Sequence, residues 1–454
     1  MPLPSPLLPS TTHALIHRLA TSQVEGRAPS MTGCIARDGH LLWGHAIESS
    51  TDTQYRIGSL TKTFVAVLVM RLRDDGLLRL SDPLEKHLPG TPIGAATILQ
   101  LLTHTAGLAS ETPGPWWERT PGSLRSSLEG ILGHSPMKHP PGRRFHYSNP
   151  GFAALGLLVE KLRSKPWGEA LQDEILAPLE MTRTSLLPTD PHATGWAVHP
   201  WADVLLPEAV HDVGTMAPAG QLWSTAEDCG RFASLLMNGE KDVLSAETVA
   251  EMRTPHTASE DDAVRSVSYG LGMETRLVGG RMLAGHTGSM PGFVCALWVC
   301  SKERLSAAAL ANSTSGVSIG SLAADLIGIV VDREPLVPLP WKPLADFDSS
   351  LLEITGPWYW GPTPYALKLQ KGRGLLLSSL SGSSSRDAGF QAQSNGTWVG
   401  RNGYFEGETL QVVRDEETGR IAHLDIASFI LTREPYEPTA DIPGGVESDG
   451  WGGR

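Results

Sequence analysis

From Phe64 to Leu72 the chain runs Phe-Val-Ala-Val-Leu-Val-Met-Arg-Leu, apolar on almost every helical face, until Asp74-Asp75-Gly76 stops it. A helix apolar all round belongs in a domain core. The preceding Tyr55-Arg56-Ile57 is strand-like and turns at Gly58, so Ser59 falls at the first turn of that buried helix. Elsewhere in the first three quarters of the chain the pattern alternates between helices and strands. His13–Val24 predicts an amphipathic helix behind a frayed, Pro/Ser/Thr-rich start over residues 1–12. Met31–Ala46 predicts two strands around an Asp38-Gly39 turn. The segment Thr97–Leu108 predicts a short amphipathic helix broken at Gly107; another helix starts near Phe152. Residues 170–260 read as helices and loops, followed by apolar strands at Val294–Val299 and Leu305–Leu310 and a helix at Ile319–Val331.

Pro335, Pro338, Pro340 and Pro343 then mark a linker. Beyond it, short alternating segments (Trp358–Trp360, Tyr365–Leu369, Gly374–Leu377, Trp398–Val399, Thr409–Val413, Ile421–Ile426, Phe429–Leu431) recur between turn residues, which predicts a small antiparallel barrel. The expected organisation is a catalytic domain over 1–334, a linker over 335–350, a barrel over 351–436 and a Gly-rich, acidic, disordered tail over 437–454.

With 454 residues, two domains are the natural division. A formal net charge of −12 argues against binding nucleic acid or an anionic membrane. The four cysteines show no C-x-x-C spacing and read as reduced, buried thiols. The first residues lack the charged and apolar regions of a signal peptide, and no run reaches the roughly 18 apolar residues of a spanning helix, so a cytoplasmic location is expected. No motif calls for a cofactor or a metal.

Ser59 and Lys62 lie three apart, hence on one helical face, at a helix start whose N–H groups lack intrahelical partners. A hydroxyl, an amine in reach and free N–H donors are the parts of an activated serine nucleophile with half of an oxyanion hole. Tyr147 and Asn149 are two apart in an extended loop, after a Pro140-Pro141-Gly142 turn, so both can face one cleft. His286-Thr287-Gly288 stands on a predicted strand, and the loop Pro113-Gly114-Pro115-Trp116-Trp117-Glu118-Arg119 offers two tryptophans either as a pocket wall or lid or as anchors of the loop to the core. His104 is expected to be a hydrogen-bonding strut at a helix end, with a catalytic role as the alternative.

Ser59-x-x-Lys62, Tyr147-x-Asn149 and His286-Thr287-Gly288, in that order, resemble the serine β-lactamase and penicillin-binding-protein superfamily, in which Lys-Thr-Gly is the usual third motif. The resemblance covers roughly residues 12–331. It implies an α+β fold, with a helical region beside an antiparallel sheet sandwiched by the terminal helices, and acyl transfer through an acyl-serine. It gives Lys62 the role of neutral base, Tyr147 that of proton carrier and Asn149 that of donor to a substrate amide. The N–H groups of Ser59 and Ser289 become the oxyanion hole, and Thr287, Gly288, Trp116 and Trp117 contact substrate. Histidine at 286, also placed in the catalytic set with a packing substitution as the alternative, holds a carboxylate less well than lysine, which shifts weight toward esterases, acyltransferases and thioesterases.

Within the superfamily the chain looks most similar to stand-alone penicillin-binding-protein-type thioesterases, peptide cyclases with a lipocalin-like C-terminal domain. That resemblance rests on His286-Thr287-Gly288, the Trp116-Trp117 loop and Trp358-Tyr359-Trp360-Gly361. It implies a peptidyl thioester substrate on the phosphopantetheine arm of a peptidyl carrier protein. From their charge, Arg433 of the barrel is a candidate to reach the peptide, with a rim charge as the alternative, and Lys138, Arg143 and Arg144 are candidates to meet the carrier, with solvated loop charges as the alternative. A cytoplasmic esterase or D-stereospecific peptidase is the alternative, and a non-catalytic acylated sensor a third.

Overall fold

The computed structural model describes residues 6–122, 127–258, 267–337, 340–382 and 384–437. The chain divides into two compact units, Met1–Val337 and Pro338–Arg454. The expected acidic tail falls, apart from Glu437, outside the described residues.

The first unit is built on an eight-stranded antiparallel sheet. Its strands are β1 (Met31–Arg37), β2 (His40–Ile47), β3 (Thr257–Ala258), β4 (Val267–Tyr269), β5 (Glu274–Val278), β6 (Arg281–Met290), β7 (Phe293–Cys300) and β8 (Leu305–Ala311). They lie in the order β2-β1-β8-β7-β6-β5-β4-β3. Strand β7 is buried along its whole length because both faces are covered. Its even positions Val294, Ala296 and Trp298 pack with Leu15, Leu19, Leu322 and Leu326 of helix α1 (Pro9–Gly26) and the C-terminal helix Ile319–Arg333. Its odd positions Cys295, Leu297 and Val299 pack with Phe64 and Phe232 of the helical region. The period-2 rule thus sorts one strand between two cores.

Two expectations are corrected here. The terminal helices do not sandwich the sheet: they share one face, and the helical region covers the other. Helix α1 also begins at Pro9, inside the stretch expected to fray, because proline at the first helical position is pre-set for the helix.

The core helix α2 spans Thr61–Asp74, and a single 3₁₀ turn, Gly58–Leu60, leads into it. Helix α3 (Asn149–Arg163) packs against α2, with Phe152, Leu155 and Leu158 fully buried. It starts three residues earlier than its apolar pattern suggests, since Ser148 caps it by accepting the Gly151 N–H at 3.2 Å. Asn149 is therefore the first residue of a helix and not part of an extended loop.

The second unit follows a 3₁₀ segment at Ser349–Ile354, which overlaps the end of the expected linker. Eight antiparallel strands from Gly356–Trp360 to Phe429–Leu431 pair in sequence order. Tyr359 and Thr432 exchange backbone hydrogen bonds at 2.8 and 2.9 Å, so the first and last strands nearly close a barrel. Trp358, Leu367, Leu377, Phe390, Leu410 and Leu424 fill it. The barrel is present as expected; nothing in it specifies a lipocalin. No helix among the described residues is long and apolar enough to cross a membrane.

Candidate active site

Ser59 sits in the 3₁₀ turn, partly exposed, at the end of a short strand that pairs Tyr55-Arg56 with Trp223-Ser224. Gly58 has φ +51°, and a Cβ there would lie 2.6 Å from both the N and O of Ser289. Only glycine satisfies both demands, the left-handed backbone and the close approach. The same approach brings strand β6, and with it the Ser289 backbone, against the nucleophile turn. Gly288 serves that packing as well, since a Cβ on it would meet the Ile57 carbonyl oxygen at 2.0 Å. Beside the substrate contact expected of it, Gly288 closes β6 onto the turn.

Lys62 is fully buried, and its Nζ lies 2.9 Å from Ser59 Oγ and 2.6 Å from the Ala219 carbonyl oxygen. Burial lowers its pKa from 10.5 to about 7, against the opposing pull of Glu111 and Glu118. Desolvation penalises the ammonium, so near neutrality much of Lys62 is the free amine that a base must be. The Tyr147 hydroxyl is hydrogen-bonded to Ser59, and its ring lies 5.0 Å from Lys62 Nζ. Burial first, then the carboxylates Glu274, Glu111 and Glu118, push its pKa well above the usual phenol value, so Tyr147 stays protonated. The arrangement assigns Lys62 as proton acceptor from Ser59 and Tyr147 as proton donor.

Asn149 differs from expectation. Its Nδ2 donates to Glu111 Oε1 at 2.7 Å, and its buried Oδ1 has no partner. One of the two N–H groups of the amide expected to meet a substrate is thus engaged. Glu111 also accepts from Trp117 Nε1 at 2.7 Å, so one carboxylate ties Asn149 to the tryptophan loop.

His286 is 2% exposed and lies behind Tyr147, with ring centroids 6.2 Å apart. Its Nδ1–H points at the Thr287 carbonyl oxygen, and its Nε2 accepts from the Tyr269 hydroxyl at 3.0 Å. Burial lowers its pKa, only partly offset by Glu274, so the imidazole is neutral. With both nitrogens engaged, His286 is a support for the site and not the catalytic group the sequence suggested. The Thr287 hydroxyl donates to Glu274 Oε1 at 2.9 Å, and Glu274 is paired with Arg276 at 2.6 Å. Trp117 is buried and Trp116 exposed, so the pair divides into an anchor and a surface ring.

Arg433 does not stand free for a peptide. Its guanidinium stacks 3.9 Å over the buried Trp358 and donates to the carbonyl oxygens of Thr355, Pro357 and Glu353 within the barrel unit.

Sequence reasoning missed Glu111, Glu118, Glu274, Tyr269 and the Ala219 carbonyl. Glu118 stood in the Trp116–Arg119 loop, Ala219 in the stretch Gly214–Ser224 that resembles the family's, and Tyr269 at the start of a predicted strand set; nothing local marked Glu111 or Glu274. His104 is the strut expected of it: its backbone and ring hold the segment that carries Tyr147.

The comparisons with known proteins agree with this geometry. A Beta-lactamase family model matches residues 15–332. The chain belongs to the β-lactamase family. A second model, a domain of unknown function (DUF7586), matches residues 347–433 of this β-lactamase-family protein. PbpX of Bacillus subtilis (strain 168), named as a penicillin-binding protein, is 26% identical over 58% of the chain. That match spans 66% of the relative's length, and other curated relatives are matched over only 30% of theirs. Among solved structures, SurE with D-Leu is 26% identical, with TM-score 0.56 over 94% of this chain and all of the other. A D-stereospecific amidohydrolase from Streptomyces sp. is 24% identical, with TM-score 0.60 over 72% of this chain and 99% of the other.

Proposed function

We propose that this β-lactamase-family protein takes a linear peptidyl thioester from the phosphopantetheine arm of a carrier protein onto Ser59 and releases it as a ring. Neutral Lys62 accepts the Ser59 proton as Oγ attacks the thioester carbonyl. The C–S bond breaks, and the proton taken up by Lys62 reaches the leaving thiolate through the Tyr147 hydroxyl, which stays protonated. The peptide's own amine then attacks the acyl-serine, the ester C–O bond to Ser59 breaks, and the amine's proton passes through Lys62 to Ser59 Oγ, so the site is restored.

The observation that carries this reading is the state of the third motif. The residue at the usual lysine position is a neutral, buried His286 bound to Tyr269, and the neighbouring Arg276 is paired with Glu274. Neither offers a cation to a β-lactam or stem-peptide carboxylate, which leaves uncharged acyl donors as the better fit. Likeness to SurE with D-Leu, extending over both units, supports a D-configured residue at the activated end. Lys138 and Arg143, exposed just before Tyr147, suit an acidic carrier or its phosphate.

The second reading is a D-stereospecific hydrolase in which water resolves the acyl-serine. It is favoured by the partly exposed Ser59 and by likeness to the Streptomyces amidohydrolase. Product analysis separates the two. A linear peptidyl thioester ending in a D-residue should yield mainly ring; mainly linear acid would replace the first reading by the second.

A further inference from the structure

Trp116 is 58% exposed, yet it is held on several sides. Its Nε1 donates to Glu118 Oε2 at 2.9 Å, and its carbonyl accepts the Thr120 hydroxyl at 2.7 Å. The Arg119 guanidinium stacks 4.6 Å from its ring centroid. Arg119 is itself fixed by a two-point pair with Glu208, at 2.5 and 2.6 Å. Glu208 is buried and takes a further hydrogen bond from Thr314 Oγ1 at 3.0 Å. The chain Arg119–Glu208–Thr314, with Glu118 on the indole nitrogen, thus holds in place an indole whose exposure persists with Arg119 against it.

An exposed aromatic ring is ordinarily free to change rotamer, and binding must then supply that lost entropy. Here the contacts to Glu118 and Arg119 restrict that freedom before binding. Fixed, amphipathic rings of this kind are the anchors that dominate recognition surfaces.

The loop is also continuous with the reaction centre. Trp117 shares Glu111 with Asn149. At Gly220 an added Cβ would lie 3.6 Å from both the Trp117 ring and the Gly58 carbonyl carbon, so that ring borders the nucleophile turn. Trp116 is the next residue, about 4 Å away along the backbone.

We propose that Trp116 is a recognition platform for an apolar side chain, above all an aromatic one, in the acyl chain carried on Ser59. The proposal rests on the peptidyl acyl-serine reading and names the substrate feature that the site selects. Glu118, bonded to the same indole, disfavours an acidic side chain at this position.

The test uses the full chain and a set of alanine-based peptidyl thioesters with phenylalanine placed in turn at each of the last three positions. Acyl release is counted as ring plus acid, so the result does not depend on which product forms. The native protein should favour phenylalanine at one position by roughly twofold to tenfold in kcat/KM, the size of one aromatic contact. Trp116→Ala should bring that ratio close to one, Trp116→Phe should keep most of it, and Glu208→Gln should shrink it through KM. Uniform rates across the native set, or an unaltered ratio in Trp116→Ala, overturn the platform alone. If no peptide is released while a small activated ester is turned over, the peptidyl reading and the platform fall together.

Discussion

His104 brackets Tyr147. Its carbonyl oxygen accepts the His146 N–H at 2.8 Å, its Nδ1 accepts the Ser148 N–H at 3.0 Å, and its ring centroid lies 4.2 Å from that of Tyr147. The residue holds φ +55°, and burial keeps its pKa well below the usual histidine value. It is therefore a neutral acceptor fixed in shape, touching the residues on either side of the proton donor.

His104→Ala should leave a buried N–H without an acceptor, at a cost of about 1–3 kcal/mol of stability. It should also lower kcat by up to about 100-fold, the scale of a small misplacement of a catalytic group. His104→Asn keeps an acceptor and tolerates positive φ, so it should recover much of the loss. Steady-state kinetics with a small activated ester and denaturant midpoints check both. Equal kcat in His104→Ala and the native protein would show that Tyr147 needs no such bracket.

The Lys62 amine sets the pH dependence. With a folded pKa near 7, kcat/KM for a neutral ester should rise through about pH 7 and level off above it. The same shift acts on stability with the opposite benefit. Folding lowers the lysine pKa from 10.5, so the burial penalty is fully present below about pH 7 and fades as pH rises toward 10.5. Lys62→Met should accordingly abolish turnover while stabilising the fold at pH 7 by on the order of 2 kcal/mol, measured by urea unfolding. A Lys62→Met protein less stable than native at pH 7 would show that the amine is not held against a desolvation penalty.

Glu111 joins Asn149 to Trp117 and favours the charged form of Lys62. Glu111→Gln should therefore move the rising limb of the pH profile to lower pH, because the ammonium loses a stabilising carboxylate. It should also lower kcat about tenfold as the Asn149 amide loses its charged partner. A profile with an unmoved midpoint would mean that Glu111 is only a loop anchor.

The difference between Ser59 and Glu111 shows what a sequence carries. Ser59 and Lys62 were legible because one helical turn fixes their spacing, and Tyr147 because a turn delivers it close to its motif partner. The barrel was legible from period-2 segments separated by turns. Glu111 met Asn149 across 38 residues and His104 met Ser148 across 44, contacts that no local period encodes. Asn149 was misjudged for a different reason: Ser148 caps a helix that starts before the apolar stripe does. His286 was expected to act because of its motif position, whereas burial and the Tyr269 hydroxyl, 17 residues upstream, decide its role. Arg433 was misplaced because backbone carbonyls, which sequence does not display, take its guanidinium.

The central claim is that Ser59, activated by Lys62 and Tyr147, carries the peptidyl chain. The direct measurement is mass spectrometry of the protein after rapid quenching with a linear peptidyl thioester that ends in a D-residue. The account predicts a mass increase equal to the acyl chain, located on the peptide containing Ser59, and absent in Ser59→Ala. An adduct on any other residue, or ring and acid formed by Ser59→Ala at the native rate, would contradict it.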